Sequence, residues 1–499
     1  MAYLRILDSR GNKIPIAAQS AFEGARTGRR LGSWMTSTSG INSLISGSIS
    51  SLRSRSRDLR RNNPLADGGV DSFVSDLIGT GISPSWQLKD QELKKATQEL
   101  WSDWTEEADY AGTCDFYGLQ SLVSQALIES GEALVRIRPQ PVKSGLSVPL
   151  QLQVLEGDHL DENYSATLSN GNSIRMGIEF DGDGKRAAYH LWPEHPGESY
   201  GFSKSMTRVR VPAKEICHIY RPTRPGQIRG TSWLASVIVK LHEFDQYDDA
   251  ELVRKKGAAM FGGFITEPPG STENTLSFGN PEETDSSNRD IVPLEPGLFQ
   301  KLPPGMSVTF SQPADVGGNY ERWVKQQLRS IARGIGTTYE KITGDLTEVN
   351  YSSIRAGLLA FQRFCKQIQL QTLAFQLCRP IAHSFLDMAV LSGALAISDY
   401  ARNKRAYRRI KWRPDSFPWV DPVKDQTADQ SAVRNGFKSR AQVVAERGGD
   451  IEELDAEIER DNERADGLGL VFDSDPRRTA KSGLSQAIET AAVTNAEDN

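Results

Sequence analysis

Apolar residues fall at i, i+3, i+4 spacing over several long stretches of the chain and at alternate positions in one region between them, which predicts a mixed α+β protein. The stretch "RRNNPLADGGVDSFVSDLIGTGI" predicts a helix with Val70, Phe73, Val74 and Leu77 on one face, ended by Gly79. Two more amphipathic helices follow, in "DQELKKATQELWSDWTEE" and "DFYGLQSLVSQALIESG". The period then changes to two. "EALVRIRP", "LQLQVLEGDHL", "SIRMGIEFDGDGKRAAYHLWP" and "AKEICHIYRP" are strands, with Asp181-Gly182-Asp183-Gly184 as a hairpin tip.

The second half returns to helical spacing. One long helix is expected over Thr231–Gly263, about 45 Å at about 1.5 Å per residue. A Pro/Gly-punctuated excursion, Phe264–Gly318, contains the acidic tract "GNPEETDSSNRD" and a strand-turn-strand candidate, "IVPLEPGLFQKLPPGMSVTF". Helix resumes over Asn319–Gly336, breaks at the polar stretch "GDLTEVNYSSIR", and resumes over Ser352–Arg379. Three short helices follow between Pro422 and Gly467. Gly436 ends the first, Ser439 caps the second, and Asp450 with Glu453 opens the third as in a capping box. Residues 34–56 are Ser/Gly-rich and weakly apolar, which predicts an extended or mobile arm, and the tail after Val471 is expected to be disordered.

Composition bounds the class. With 499 residues, 38% hydrophobic and 25% charged, the chain can bury real cores. Four scattered cysteines, Cys114, Cys217, Cys365 and Cys378, offer neither a zinc pattern nor a disulfide framework. The first residues lack the layout of a signal peptide and no apolar run has the length of a membrane span, so synthesis in a reducing cytoplasm and no membrane partner are expected. The net charge of −5 conceals an asymmetry: eleven Lys/Arg precede Ala66 against three acids, whereas Asp450–Asp466 is mostly acidic. Arg53, Arg55, Arg57, Arg60 and Arg61 therefore make a basic arm that either contacts phosphate or docks on an acidic neighbouring subunit.

Candidate chemistry is sparse. His242, Asp245 and Asp249 share a helix side and have the residue types of a metal site, without a visible supporting shell. They would suit a metal-dependent nuclease, while residues 1–61 would suit a non-specific DNA-binding protein. "FDGDGK" opens like a calcium loop, but Lys185 breaks the acidic pattern and Trp192 stands at the closing Glu position, which leaves a hairpin turn. There is no GxxxxGK[ST], GxSxG or HExxH. One of Cys217 and His218, neighbours on an alternating strand, is expected to point inward as a packed side chain. No cofactor and no enzymatic activity are expected, and the chain has the character of assembly machinery.

Seven segments in order carry a resemblance: "RNNPLADGGVDSFVSDLIGTGI", "SGEALVRI", "MGIEFDGDGKRAAYHLW", "RVPAKEICHIYRPTRPGQIRGTSWLA", "DDAELVRKKGAAMFGGFI", "NYSSIRAGLLAF" and "WVDPVKDQTADQSAVRNGFKSRAQVVAERGGDIEE". Together, from about residue 20 to residue 470, they resemble the lambda-type portal proteins of tailed bacteriophages. The resemblance implies the portal-protein fold: a wing, a two-helix stem, a clip and a helical crown, assembled as a ring, usually a dodecamer, at one capsid vertex around a channel for double-stranded DNA. In this chain it implies an arm over 1–61, wing over 62–230, stem helices over 231–263 and 319–337 with the clip over 264–318 between them, a tunnel loop over 338–351, a long wing helix and return over 352–421, a crown over 422–470 and a tail over 471–499.

The same resemblance implies DNA-facing residues in the tunnel loop: Lys341, Thr343, Gly344, Asp345, Leu346, Thr347, Glu348, Val349 and Asn350. With a single base among them, loose steric contact is expected, not tight phosphate binding. Glu243, Asp245, Asp248, Asp249 and Glu251 either line the bore, where like charge would keep DNA centred, or face outward and pair with Arg254 and Lys255. The implied partners are further copies of the chain, the terminase large subunit, the major capsid protein with its scaffold or protease, and a head-completion protein. The implied location is the portal vertex of the virion.

Overall fold

The computed structural model describes residues 33–198, 207–260, 265–266, 301–302, 320–347, 351–417 and 422–472. Helices α1 (Ile41–Ser46) and α2 (Ile49–Asn62) come first, where the Ser/Gly-rich composition predicted an extended arm. The correction has a local cause. Ile49, Arg53, Ser56 and Leu59 are all buried on one face of α2, so two core-facing positions carry polar residues that disguise the helical stripe. Asn63 then caps α3 (Pro64–Ile78) by accepting from the Leu65 and Ala66 N–H groups, with Pro64 at the first turn where a missing N–H costs nothing. Val70, Phe73 and Leu77 of α3 are fully buried, the face that the spacing predicted.

Strand β1 (Ser83–Trp86) leads to α4 (Gln91–Glu107) and α5 (Phe116–Glu129), capped by Asp90 and Asp115. The strand region follows: β2 (Glu132–Pro139), β3 (Leu150–Glu156), β4 (Ala166–Thr167), β5 (Ser173–Arg175), β6 (Ile178–Phe180), β7 (Arg186–Leu191), β8 (Val209–Pro212) and β9 (Ile216–Tyr220). They form two antiparallel sheets, ordered β3-β2-β9 and β4-β5-β6-β7-β8. Strand β2 divides two cores. Ala133, Val135 and Ile137 face the helices, whereas Leu134 joins Ile178, Tyr189 and Val211 of the second sheet. Both faces of this three-stranded sheet are covered, so Cys217 and His218 are both buried, not one of the pair as expected.

Helix α6 (Ile238–Met260) follows a short 3-10 turn at Trp233–Ser236. Of the excursion only β10 (Ile265–Thr266) and β11 (Lys301–Leu302) are described, paired in parallel; the rest of the strand-turn-strand candidate and the acidic tract lie outside the described residues. Helices α7 (Tyr320–Ile335) and α8 (Tyr339–Thr343) precede a continuous helical rod made of α9 (Tyr351–Ile368), a π-helical segment (Gln369–Cys378) and α10 (Arg379–Ser392). The rod outruns its expected end at Arg379 because Pro380, which has no N–H to give, falls at the first turn of α10 where the wider π segment ends.

Helix α11 (Tyr400–Tyr407) and β12 (Ile410–Arg413) close the body, β12 pairing antiparallel with β1. Trp86, Trp101, Trp104, Phe116 and Phe385 interlock beneath this pair, each 0 to 1% exposed. The last helices are α12 (Pro422–Arg434), α13 (Arg440–Glu446) and α14 (Ile451–Gly467). Ser439 and Gln442 form a full capping box at α13, and Gly436 takes the left-handed conformation that ends α12. Asp450 caps α14 through the Glu452 N–H and also accepts from Ser85 and Arg413, which ties these helices to the β1–β12 pair. Among the described residues no helix is long and apolar enough to cross a membrane. The tail from residue 473 lies outside them.

Candidate functional site

The polar interruption after α7 is half helical. Leu328, Ile331, Ala332 and Ile335 bury one face of α7, and Gly334 lets it approach the turn before α6, where a Cβ would lie 2.3 Å from Val237. Helix α8 then buries Ile342 against Gly69 of α3. Lys341 donates to Asp76 at 2.6 Å and lies over the Phe361 ring, so the one base of the expected DNA-facing set is spent inside the subunit. Thr343 donates to the Tyr339 carbonyl. The side chains of these two residues are thus bonded within the subunit and hold α8 in place.

Gly344, with φ of 69°, ends α8, and the chain beyond it turns outward. Asp345 accepts from the N–H and hydroxyl of Thr347 and from the Tyr339 hydroxyl, which together hold its carboxyl down at about 2. This Asx-type turn orients Leu346, 63% exposed, and Thr347 toward solvent. Glu348, Val349 and Asn350 lie outside the described residues.

The acidic face of α6 splits into separate environments. Tyr247 and Phe244 pack on Trp323 of α7, and the Tyr320 hydroxyl donates to Asp248 at 3.0 Å. Asp245 accepts from Asn63, and Glu251 pairs within its own helix with Arg254 and Lys255. Glu243 and Asp249 are exposed. His242 pairs with Gln246. His242, Asp245 and Asp249 are thus not brought together, and the candidate metal triad is withdrawn.

The arginines of α2 also find partners inside the chain. Arg53, 2% exposed, pairs with Glu132 and Asp158; Arg57 pairs with Glu129, Glu156 and Asp158; Arg60 pairs with Asp67 and Asp71. Only Arg55 and Arg61 of the expected arm are exposed. Glu156, Asp158 and His195 are the one trio of potential metal ligands converging among the described residues, and Arg57 already sits on both carboxylates.

Glu132, fully buried at the start of β2, is the centre that the sequence did not announce. Arg229 donates to both its oxygens at 2.8 and 2.9 Å, His218 bonds to it at 3.0 Å, and the Gly230 N–H and Arg53 complete the set. The approach needs two glycines: a Cβ on Gly131 would lie 2.0 Å from the Thr231 carbonyl carbon, and one on Gly230 would lie 1.9 Å from the Gly131 oxygen. Burial pushes the Glu132 carboxyl up, but Arg229 and His218 more than reverse this and hold it well below its usual range. Arg229 spends its remaining N–H groups on the Leu160, Met176 and Gly157 carbonyls. A smaller copy of the motif joins Glu179 to Arg210, Asn172 and His190 in the second sheet, the Arg210 contact chiefly drawing the carboxyl down to about 2. The signal available in the sequence was a lone acid inside an apolar strand, "GEALV" and "GIEF".

His218 supplies a pH dependence. Burial outweighs its bond to Glu132 and lowers it to about 4, against an ordinary 6.5. Between those values the unfolded chain binds a proton that the folded chain refuses, so stability is full above pH ~6.5 and falls as pH drops toward 4. Urea unfolding of the subunit should cost about 2 kcal/mol of stability between pH 7 and pH 5 through this residue. His218→Gln, which keeps a donor to Glu132, should flatten that loss; an unchanged pH slope would remove His218 as its source.

The chain from residue 27 to residue 369 matches the family model described as "Phage portal protein, lambda family". It is 28% identical over 427 residues, 83% of this chain and 77% of the relative, to the "Probable portal protein" of Halomonas phage phiHAP-1. It is 20% identical over 512 residues to "Portal protein B" of Escherichia phage lambda, 93% of each chain. Among solved structures, a chain from the "Neck of native GTA particle computed with C12 symmetry" is similar, with a TM-score of 0.39, 16% identity and coverage of 78% of this chain and 91% of that one. With the family model spanning more than half of its residues, the chain belongs to the lambda family of phage portal proteins.

Proposed function

We propose that the protein assembles as a closed ring at one vertex of a phage capsid and forms the channel through which double-stranded DNA enters and leaves. Family membership over residues 27–369 is the observation that carries the reading. In it, α6 and α7 are the stem, residues 264–318 the clip that docks the terminase large subunit and later a head-completion protein, α9 to α10 the long wing helix, and α12 to α14 the crown. The major capsid protein and its scaffold surround the wing, and energy for DNA movement comes from the terminase.

The chemistry of the loop after α8 supports this assignment. With Lys341 tied to Asp76 and Asp345 saturated by its own turn, the described part of the loop offers DNA an apolar tip at Leu346 and no unpaired cation. A duplex sliding past such a surface releases few counterions and meets little resistance. The nuclease and plain DNA-binding readings are less well supported: Asp245 and Asp249 are not gathered with His242 into a ligand set among the described residues, and Arg53, Arg57 and Arg60 pair with acids of the same subunit.

Native mass spectrometry of the purified full-length protein, with negative-stain imaging, tests the reading. A closed head-to-tail ring of about a dozen copies around a central hole is expected. A monomer or dimer that persists with capsid protein and DNA present would overturn it.

A further inference from the structure

Helices α12, α13 and α14 do not complete a core of their own: none of their residues is buried, and Val423, Val433 and Phe437 stand exposed. Between them runs a groove of about 560 Å³ whose apolar floor is Val433, Val443, Val444 and Leu454. Its rim is basic. Arg440 and Arg447 line it while paired to Asp455 and Asp429, and Arg434, also lining it, has no ion-pair partner among the described residues.

Helix α14 has the opposite character on its far side. Ile451, Leu454, Ile458 and Ala465 share one face, at i, i+3, i+7 and i+14, and Leu454 on that face lines the groove. The remaining surface carries Glu453, Glu457, Glu459 and Glu463, all exposed and without an ion-pair partner among the described residues, together with two exposed arginines, Arg460 and Arg464, the second paired with Asp461, so the surface is acidic in balance. Leu454 reaches the groove from the inner face, so the acidic surface points away from it. One helical unit thus presents a half-apolar groove with an unpaired cation on one side and, on the other, a helix face on which four unpaired glutamates outnumber two arginines.

We infer that the groove is an interface with a second copy of the chain, and that it receives the acidic outer face of the neighbour's α14. The two complementary patches are different surfaces of the same subunit, which makes the contact head-to-tail and compatible with a closed cycle, whereas a self-complementary patch would stop at a dimer. Charge complementarity sets the register and speeds encounter, while the exclusion of water from the valine floor supplies the holding force. The inference rests on the ring reading above and names one of the surfaces that would close the ring.

Arg434→Lys keeps the charge and adds an amine, so a carbodiimide can join it directly to a carboxylate in contact with it. Equal amounts of 15N-labelled and unlabelled full-length Arg434→Lys protein are mixed, assembled, cross-linked and digested. Peptides joining Lys at 434 of one isotope to Glu453, Glu457, Glu459 or Glu463 of the other are expected, and 0.5 M NaCl added before assembly should reduce them severalfold. In parallel, Glu453→Lys/Glu457→Lys/Glu459→Lys/Glu463→Lys should keep the helical content and unfolding midpoint of the monomer but assemble into rings at least several-fold less well. Links confined to one isotope, links to residues 473–499 of the same chain, or wild-type assembly by the fourfold variant would overturn the inference. In each of those cases wild-type rings would still form, whereas absence of wild-type rings would defeat the ring reading itself.

Discussion

Glu132→Ala is expected to destabilise the subunit by about 3–5 kcal/mol, the range for removing one member of a buried ion pair. The reason lies in what remains. Arg229, fully buried, would keep three carbonyl partners but lose its carboxylate partner, and Arg53 would retain Asp158 and, at 3.8 Å, Glu162. The Gly230 N–H and His218 would lose their acceptor as well. Replacing both ends of the pair, in Glu132→Met/Arg229→Met, should recover a substantial part of the loss, because no isolated charge is then left in the low-dielectric interior. The double-mutant cycle is read by urea unfolding of unassembled protein at pH 7. A single-variant cost under about 0.5 kcal/mol, the size of an ordinary surface substitution, would show that the cluster is solvated in solution.

That cluster also marks where reading the sequence stops. Periodicity found α3, α4, α5, the strands β2, β3, β5, β6, β7 and β9, α6 and α7, because their apolar residues recur at the period of the element; it passed over β4 and β8, which are only two and four residues long. It missed α2, where Arg53 and Ser56 occupy core positions: a buried arginine is worth as much as a leucine only when its carboxylate is near, and Glu132 is 79 residues away. It missed β1 and β12 for a related reason, since two four-residue strands pair across 330 residues and neither alternates strongly on its own. In the candidate loop it located the break between helices but not α8, whose five residues are fixed by Ile342 and by the Lys341–Asp76 pair. Order along the chain was legible; the partners that consume each charge were not, because ion pairs of high sequence separation leave no local pattern.

The loop is where a charge can be added without disturbing any buried ion pair. Leu346→Arg/Thr347→Arg places two cations on side chains that are exposed and outside the buried clusters, so folding and ring formation should be unchanged. Loss of the Thr347 hydroxyl removes one bond to Asp345 and leaves the Tyr339 hydroxyl and the backbone N–H of residue 347 in place. If the loop faces DNA, every copy in the ring then offers phosphate contacts, and each contact formed must be broken for the duplex to advance. The amount of DNA packaged per particle is expected to fall about tenfold or more at low salt and to recover as salt is raised, since the added grip is counterion-dependent. Leu346→Gln/Thr347→Gln changes shape and polarity without charge and should package nearly as well as the unaltered chain. Equal packaging by the arginine variant would place the loop away from the duplex. Equal loss in both variants, indifferent to salt, would mean that the loop acts by its fit against neighbouring subunits and not by its charge toward DNA.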